Sequence, residues 1–388
     1  MNLKRWIPLL YVIATAASGA ADLAPAPVEP KYDWGVAYYL SYDNDLAKAT
    51  PIIVKAIRAG VNSPATVAAV QVDLPGPGGM HRIEITSKKV TSTNLKSDDS
   101  ANEDEAIAYL DWFVKTYPCK HYAFMFLDHG GRLDEMCLDE SPDTKDKLYM
   151  SGRTLGAKLR DFKKTIPAAS QWDLLFFQQC GRGSLENLYS FRGTAEFILC
   201  SPVSVGAPNS YYTPLHQWLG DHAEATGLSV AEKIAAEDTD YRAYTCVKTR
   251  KLDELPEQLD AALKLPLERN AATRLPRMTP AIYADSDEST RDTKLWFEAI
   301  AAANVGTGGA IDALQHFIAN DLIAGVWYSK NADAETKSAL SGLSLFVPDS
   351  AESARRYREM DLYNDSLLRK FWPAMFPQPQ ASATAAKR

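Results

Sequence analysis

The chain has 388 residues, of which 46% are apolar and 23% charged, the balance of a folded globular protein and not of a disordered, collagenous or fibrous one. Forty-two basic residues against forty-nine acidic ones give a net charge of −7, and no long Lys/Arg block occurs, which argues against nucleic acid as a partner. Five cysteines, none in a C-x-x-C pair, exclude a disulfide scaffold, a zinc ribbon and a thioredoxin-type site.

The amino terminus reads as an address. Lys4 and Arg5 precede the apolar run Trp6 to Ala17 and the small residues Ser18-Gly19-Ala20. That order predicts a secretory signal peptide over residues 1–20. The run is too short for a membrane span and contains Pro8, and nothing later in the chain is apolar enough to cross a bilayer. Cleavage would take the charge from −7 to −9 by removing Lys4 and Arg5. Residues 21–31, including APAPVEP (Ala24 to Pro30), predict an extended tether. The expected product is exported, periplasmic or secreted, without a membrane span, and monomeric. Export permits disulfides without requiring them.

Trp34 to Leu40 (WGVAYYL) has the length and polarity of a buried strand, ending in the polar cluster Ser41 to Asp45. Leu46 to Ala59 has helical spacing and Thr66 to Leu74 is strand-like. After a Gly/Pro turn at Pro75 to Gly79, the alternation His81 to Thr86 predicts an edge hairpin. Glu103 to Thr116 reads as a helix with Ile107, Leu110, Trp112 and Phe113 toward the core. His121 to Leu127 (HYAFMFL) is a second buried strand, Gly152 to Thr165 a helix, Trp172 to Phe177 (WDLLFF) a third such strand, and Ala195 to Cys200 (AEFILC) a further one. Strands alternating with helices predict an α/β fold with a mainly parallel sheet, here placed at 32–210. Residues 211–376 read as a mostly helical half folded back onto the first. Its helices are expected at Val230 to Glu237, Leu252 to Leu265 and Thr293 to Ala303, with one late strand at Leu340 to Val347. Residues 377–388 form a low-complexity tail.

Two strand ends carry the chemistry. His129 and Cys180 each follow an apolar run of strand length, each is followed at once by glycine, and 51 residues separate them, enough for one crossover helix. In such sheets the functional crevice lies beyond the carboxyl ends of the strands. A cysteine peptidase needs a thiolate, an imidazole to exchange protons, and backbone N–H groups aimed at the developing oxyanion. Gly130, Gly131 and Gly181 allow close backbone approach, and the N–H groups of Gly130 and Cys180 are the oxyanion-hole candidates. Taken singly, His129 could be a hydrogen-bonded strand-end histidine and Cys180 a small buried hydrophobe; the matched placement favours chemistry.

On FMFLDHGG (Phe124 to Gly131), LLFFQQCGRGSLENLYSFRGTAEFILCSP (Leu174 to Pro202), the opening WGVAYYLSYDNDL (Trp34 to Leu46) and SGLSLFVP (Ser341 to Pro348), the sequence resembles the clostripain family of cysteine peptidases. The resemblance implies a caspase-like α/β/α sandwich, shared with legumains, gingipains and caspases. It implies His129 as general acid/base and Cys180 as nucleophile, a dyad with no obligatory third residue, and Glu186 as a buried structural partner. It also implies a protein or peptide substrate. The family usually carries an aspartate two residues before the nucleophile, where it pairs with a basic substrate side chain. Here that position is Gln178, which contributes no net charge, so the preference for a basic residue is open. Ser201 to Tyr212, beginning with Ser201 and Val203, is the expected second wall of the pocket and holds no acidic residue.

Other signals are weaker. Val305 to Ala310 is glycine-rich without a preceding strand, so a helix start is favoured over a dinucleotide loop. Ser184 lacks the setting of a hydrolase elbow, and His216 and His222 fall on different helix faces, against a metal site. No cofactor is needed for the chemistry. Asp43 and Asp45 could hold calcium, as in some relatives, though capping of the next helix is favoured. Lys145 and Lys147 sit where relatives undergo self-cleavage. Two functions are therefore open: an exported cysteine endopeptidase, or an inactive relative that binds peptides in the same crevice.

Overall fold

The computed structural model describes residues 29–376, except 77, 142–147, 239–242, 271, 273–289, 304–307, 331–333, 335–336 and 338–339. The expected signal peptide, most of the tether, Lys145, Lys147 and the tail lie outside the described residues.

Nine strands form one sheet. β1 (Tyr32–Ser41) is flanked by β2 (Thr66–Asp73) and β5 (Cys119–Leu127), and β8 (Gln171–Gln178) and β9 (Phe197–Cys200) follow β5, all parallel. Beyond β2 lie the antiparallel β3 (His81–Thr86) and β4 (Val90–Asn94) of the expected hairpin. A small separate sheet pairs β6 (Glu135–Leu138) with β7 (Tyr149–Ser151).

The central strands carry long apolar runs because both of their faces are covered. Along β1, Ala37 and Tyr39 enter one core and Trp34, Val36, Tyr38 and Leu40 the other, the two-residue period of a strand. The first core is closed by α2 (Glu103–Thr116) through Tyr109, Leu110 and Phe113 and by α3 (Gly152–Lys163) through Leu155, Leu159 and Phe162. The second is closed by Ile53 and Ile57 of α1 (Thr50–Gly60), together with the helices Tyr212–Asp221 and Gly227–Glu237. The result is the expected α/β/α sandwich. Ile107 and Trp112, expected in the core, are only partly buried against it.

The second half of the chain departs from the mostly helical expectation. It adds β10 (Ala243–Lys248) and β12 (Ile323–Tyr328), both antiparallel, to the sheet beyond β9. It also forms a two-stranded sheet from β11 (Thr290–Asp292) and β13 (Ser344–Phe346). These strands are six residues or fewer, so no period-2 stretch is long enough to stand out. The late strand is real but shorter than Leu340 to Val347, and it lies outside the main sheet. No helix among the described residues is long and apolar enough to cross a membrane.

β13 is joined to the segment after the nucleophile candidate. Ser344 N–H donates to the Gly183 carbonyl at 2.9 Å. Glu186, in α4 (Leu185–Ser190), is fully buried and accepts from Phe346 N–H at 3.1 Å and from Tyr363 hydroxyl at 3.2 Å. Burial pushes its carboxyl up to about 8. The folded state therefore binds this proton more tightly than the unfolded chain, and the associated stability is full at acid pH and lost as pH rises toward 8. Glu186→Gln should flatten the fall of the thermal midpoint between about pH 5 and 8, removing a slope that approaches ~1.4 kcal/mol per pH unit. Melting curves across that range, read by circular dichroism, check it; an unchanged slope contradicts it.

Candidate active site

β5 and β8 run side by side to the same end, with Leu127 opposite Gln178 and Asp128 N–H donating to the Gln178 carbonyl at 3.4 Å. His129 and Cys180 follow, each two residues beyond its strand. A Cβ built on Gly130 would stand 1.9 Å from the Cys180 carbonyl oxygen and 3.1 Å from its nitrogen. The backbones of the two motifs are therefore in contact, at a spacing only glycine allows. Gly181, at φ +67°, makes the turn after the nucleophile candidate. Among the described residues, neither the Gly130 nor the Cys180 N–H donates to another group.

His129 is about one-third exposed, and its Nε2 lies 2.7 Å from Asp45 Oδ1. A carboxylate only accepts, so this contact assigns the Nε2–H tautomer and leaves Nδ1 as the basic nitrogen. The hydrogen bond from His129 holds the Asp45 carboxyl below the usual range. Asp45 enters the first turn of the 3₁₀ segment Asp45–Ala49, whose cap is Asn44, accepting from Leu46 N–H at 2.9 Å. The expected capping role thus falls to Asn44, and Asp45 turns to the imidazole. Spacing alone hides this partnership, because Asp45 and His129 are 84 residues apart. Asp43 turns instead to Ser141. Among the described residues no group of three or more His, Cys, Asp or Glu side chains is arranged to hold a metal ion.

Asp128 anchors the histidine loop from beneath. Its buried carboxylate accepts from Asn44 Nδ2 at 2.9 Å and from Leu138 N–H, while burial raises its carboxyl well above the ordinary range. Cys180 is partly exposed, whereas Cys119, Cys137, Cys200 and Cys246 are buried; all five are free thiols. Its Sγ accepts from Val205 N–H at 3.4 Å and faces the Val205 carbonyl at 3.5 Å.

Gln178 does not present a free amide. It is 2% exposed; Nε2 donates to Asn209 Oδ1 and Tyr212 hydroxyl, and Oε1 accepts from Tyr211 hydroxyl at 2.7 Å. Asn209 in turn donates to Asp238 Oδ2 at 2.6 Å, which ties the loop to a buried carboxylate behind it. Ser201 and Val203 are also buried. Ser201 Oγ donates to the Ala243 carbonyl at 2.7 Å, and the Ser201 and Val203 carbonyls accept from Gly183 and Gly181 N–H at 2.9 and 3.2 Å. These two residues thus hold the loop after Cys180 through their main chain. Ser184 caps α4, accepting from Asn187 N–H. His216 is buried on Tyr38 at 2.9 Å and His222 binds the Trp218 carbonyl, so they share no site.

The sequence matches the clostripain family, peptidase family C11, over residues 79–375. The chain belongs to that family, whose members are cysteine peptidases and hence hydrolases. A comparison with curated proteins gives no match. Among solved structures, it is similar to an inactive zymogen C11 protease from Parabacteroides distasonis, at TM-score 0.65 and 18% identity over 87% of this chain and 99% of that one. It is also similar to a secreted C11 cysteine protease from Bacteroides thetaiotaomicron in complex with an irreversible peptide inhibitor, at TM-score 0.64 and 14% identity over 86% and 98%. These two likenesses show the fold.

Two substitutions test the geometry. Gly130→Ala should lower kcat by on the order of 100-fold or more while far-UV circular dichroism is unchanged, because the added methyl forces the two strand ends apart. Asp45→Asn should lower kcat/KM about 10-fold near neutral pH, where the wild-type carboxyl is ionised, by loosening the imidazole. Steady-state hydrolysis of a fluorogenic peptide measures both; wild-type rates in either variant contradict the corresponding assignment.

Proposed function

We propose that this chain is an exported cysteine endopeptidase working through a Cys180 and His129 pair. The observation that carries the reading is the contact between Gly130 and the Cys180 peptide, which supports one shared site for the two motifs. In this reading His129 Nδ1 takes the Cys180 proton. The sulfur attacks the peptide carbonyl, and the oxyanion forms between the Gly130 and Cys180 N–H groups. His129 then protonates the leaving amine, giving a thioester that water hydrolyses with His129 as base. No cofactor enters these steps. Export rests on the order of residues 1–20.

The side chain preceding the scissile bond is read as uncharged. Gln178 and Cys180 both face the loop from Val203 to Asn209, and the Gln178 amide is already spent on Asn209, Tyr211 and Tyr212. A guanidinium or ammonium entering there would find neither a charge nor an open acceptor on Gln178.

Cys180→Ala should abolish hydrolysis of an unfolded protein substrate, and His129→Ala should lower it by on the order of 100-fold or more. A positional peptide library should rank neutral residues above Lys and Arg before the cut. Hydrolysis at the wild-type rate by Cys180→Ala refutes the enzyme reading, and a clear Lys or Arg preference refutes the pocket reading. A wild-type protein that binds the library peptides without cleaving them would instead favour the inactive binding relative.

A further inference from the structure

Arg182 is 2% exposed, and among the described residues its guanidinium makes no ion pair with a carboxylate. Instead every N–H faces a main-chain carbonyl. Nε donates to Cys180 at 3.2 Å, Nη1 to Glu135 at 2.6 Å and Leu133 at 3.4 Å, and Nη2 to Gly131 and Arg132 at 3.0 Å each. Four of these carbonyls belong to the turn that follows His129 and Gly130; the fifth belongs to the nucleophile candidate itself. That turn closes on itself through Gly131 N–H to the Glu135 carbonyl at 3.2 Å and Glu135 N–H to the Arg132 carbonyl at 2.9 Å. One planar cation thus occupies the space between the two loops and binds both.

Burying a cation without a paired carboxylate is costly, and burial accordingly lowers the Arg182 pKa. A full set of hydrogen bonds offsets that cost, together with the nearby charges of Asp134 and Glu135, and a guanidinium has five N–H donors in a rigid fork to match five carbonyls. Lysine offers three donors on a flexible stem and cannot span the same set. The carbonyls of both segments converge on the guanidinium.

We propose that Arg182 is a positioning residue, holding the histidine loop and the Cys180 peptide at the one separation that lets both act on the same substrate carbonyl. The inference rests on the peptidase reading above. It is distinct from that reading, because Arg182 touches neither substrate nor the reacting atoms.

The test compares wild type, Cys180→Ala, Arg182→Lys and Arg182→Ala on one fluorogenic peptide, with thermal melts of each. Arg182→Lys should lose about 100-fold in kcat with KM within about threefold, since a misplaced reacting group costs turnover more than binding. Arg182→Ala should be slower still, and added guanidinium ion should restore part of its kcat in a saturable way, whereas urea and ammonium should not. Wild-type kcat in a folded Arg182→Lys overturns the proposal. So does a loss in Arg182→Ala that tracks unfolding in the melts and is not rescued by guanidinium, which would make Arg182 merely structural. Absence of any Cys180-dependent hydrolysis in the wild type would overturn the peptidase reading instead, and the two failures are told apart by the Cys180→Ala control.

Discussion

The site depends on two main-chain segments touching where side chains would keep them apart. Gly130 packs against the peptide of Cys180 so closely that any Cβ would overlap the Cys180 carbonyl. Such an approach requires neighbouring parallel strands of matched register, and β5 and β8 supply it with Leu127 and Gln178 side by side at their ends. Parallel pairing in turn requires a crossover, here α3, and faces covered by helices on both sides. The apolar runs FMFL and LLFF follow from that requirement.

The rest of the chain converges on the same spot from a distance. Asp45, beyond the end of β1, reaches His129, and Asn44 beside it braces Asp128. The loop after β9 passes main-chain groups to Gly181, Gly183 and the Cys180 sulfur. β13, more than 150 residues later, donates to the other side of the Cys180 loop, from Ser344 N–H to the Gly183 carbonyl and from Phe346 N–H to the buried Glu186. The second half of the chain is therefore part of what holds the site, and loss of β13 would leave Glu186 buried with fewer partners.

The sequence makes the centre of this molecule plain and its periphery obscure, for physical reasons. Strands buried on both faces are continuous apolar runs, so β1, β2, β5 and β8 stand out, and with them the two residues that follow β5 and β8. The buried role of Glu186 came from family likeness and agrees with its placement. Asp45 and Arg182 were legible only as types: a carboxylate near a strand end and a cation near a cysteine. Their roles depend on direction, and direction comes from contacts between segments far apart in the chain. Gln178 shows the same limit, since its identity suggests a pocket residue and only its partners show that its amide is used up. β12 was hidden because an edge strand, covered less completely than the centre, needs no long apolar run, and β10, though buried between β9 and β12, spans only the six residues Ala243–Lys248 with Thr245 and Lys248 among them.

The central claim is that Cys180 alone, among five free thiols, sits where a substrate carbonyl can be attacked. Incubating the protein with a peptidyl acyloxymethyl ketone bearing a neutral residue next to the warhead, then digesting it and mapping adducts by mass spectrometry, tests this directly. Time-dependent modification confined to the peptide containing Cys180, with parallel loss of activity, is the expected result. Modification spread over Cys119, Cys137, Cys200 or Cys246, or none on Cys180 while activity persists, would contradict the account.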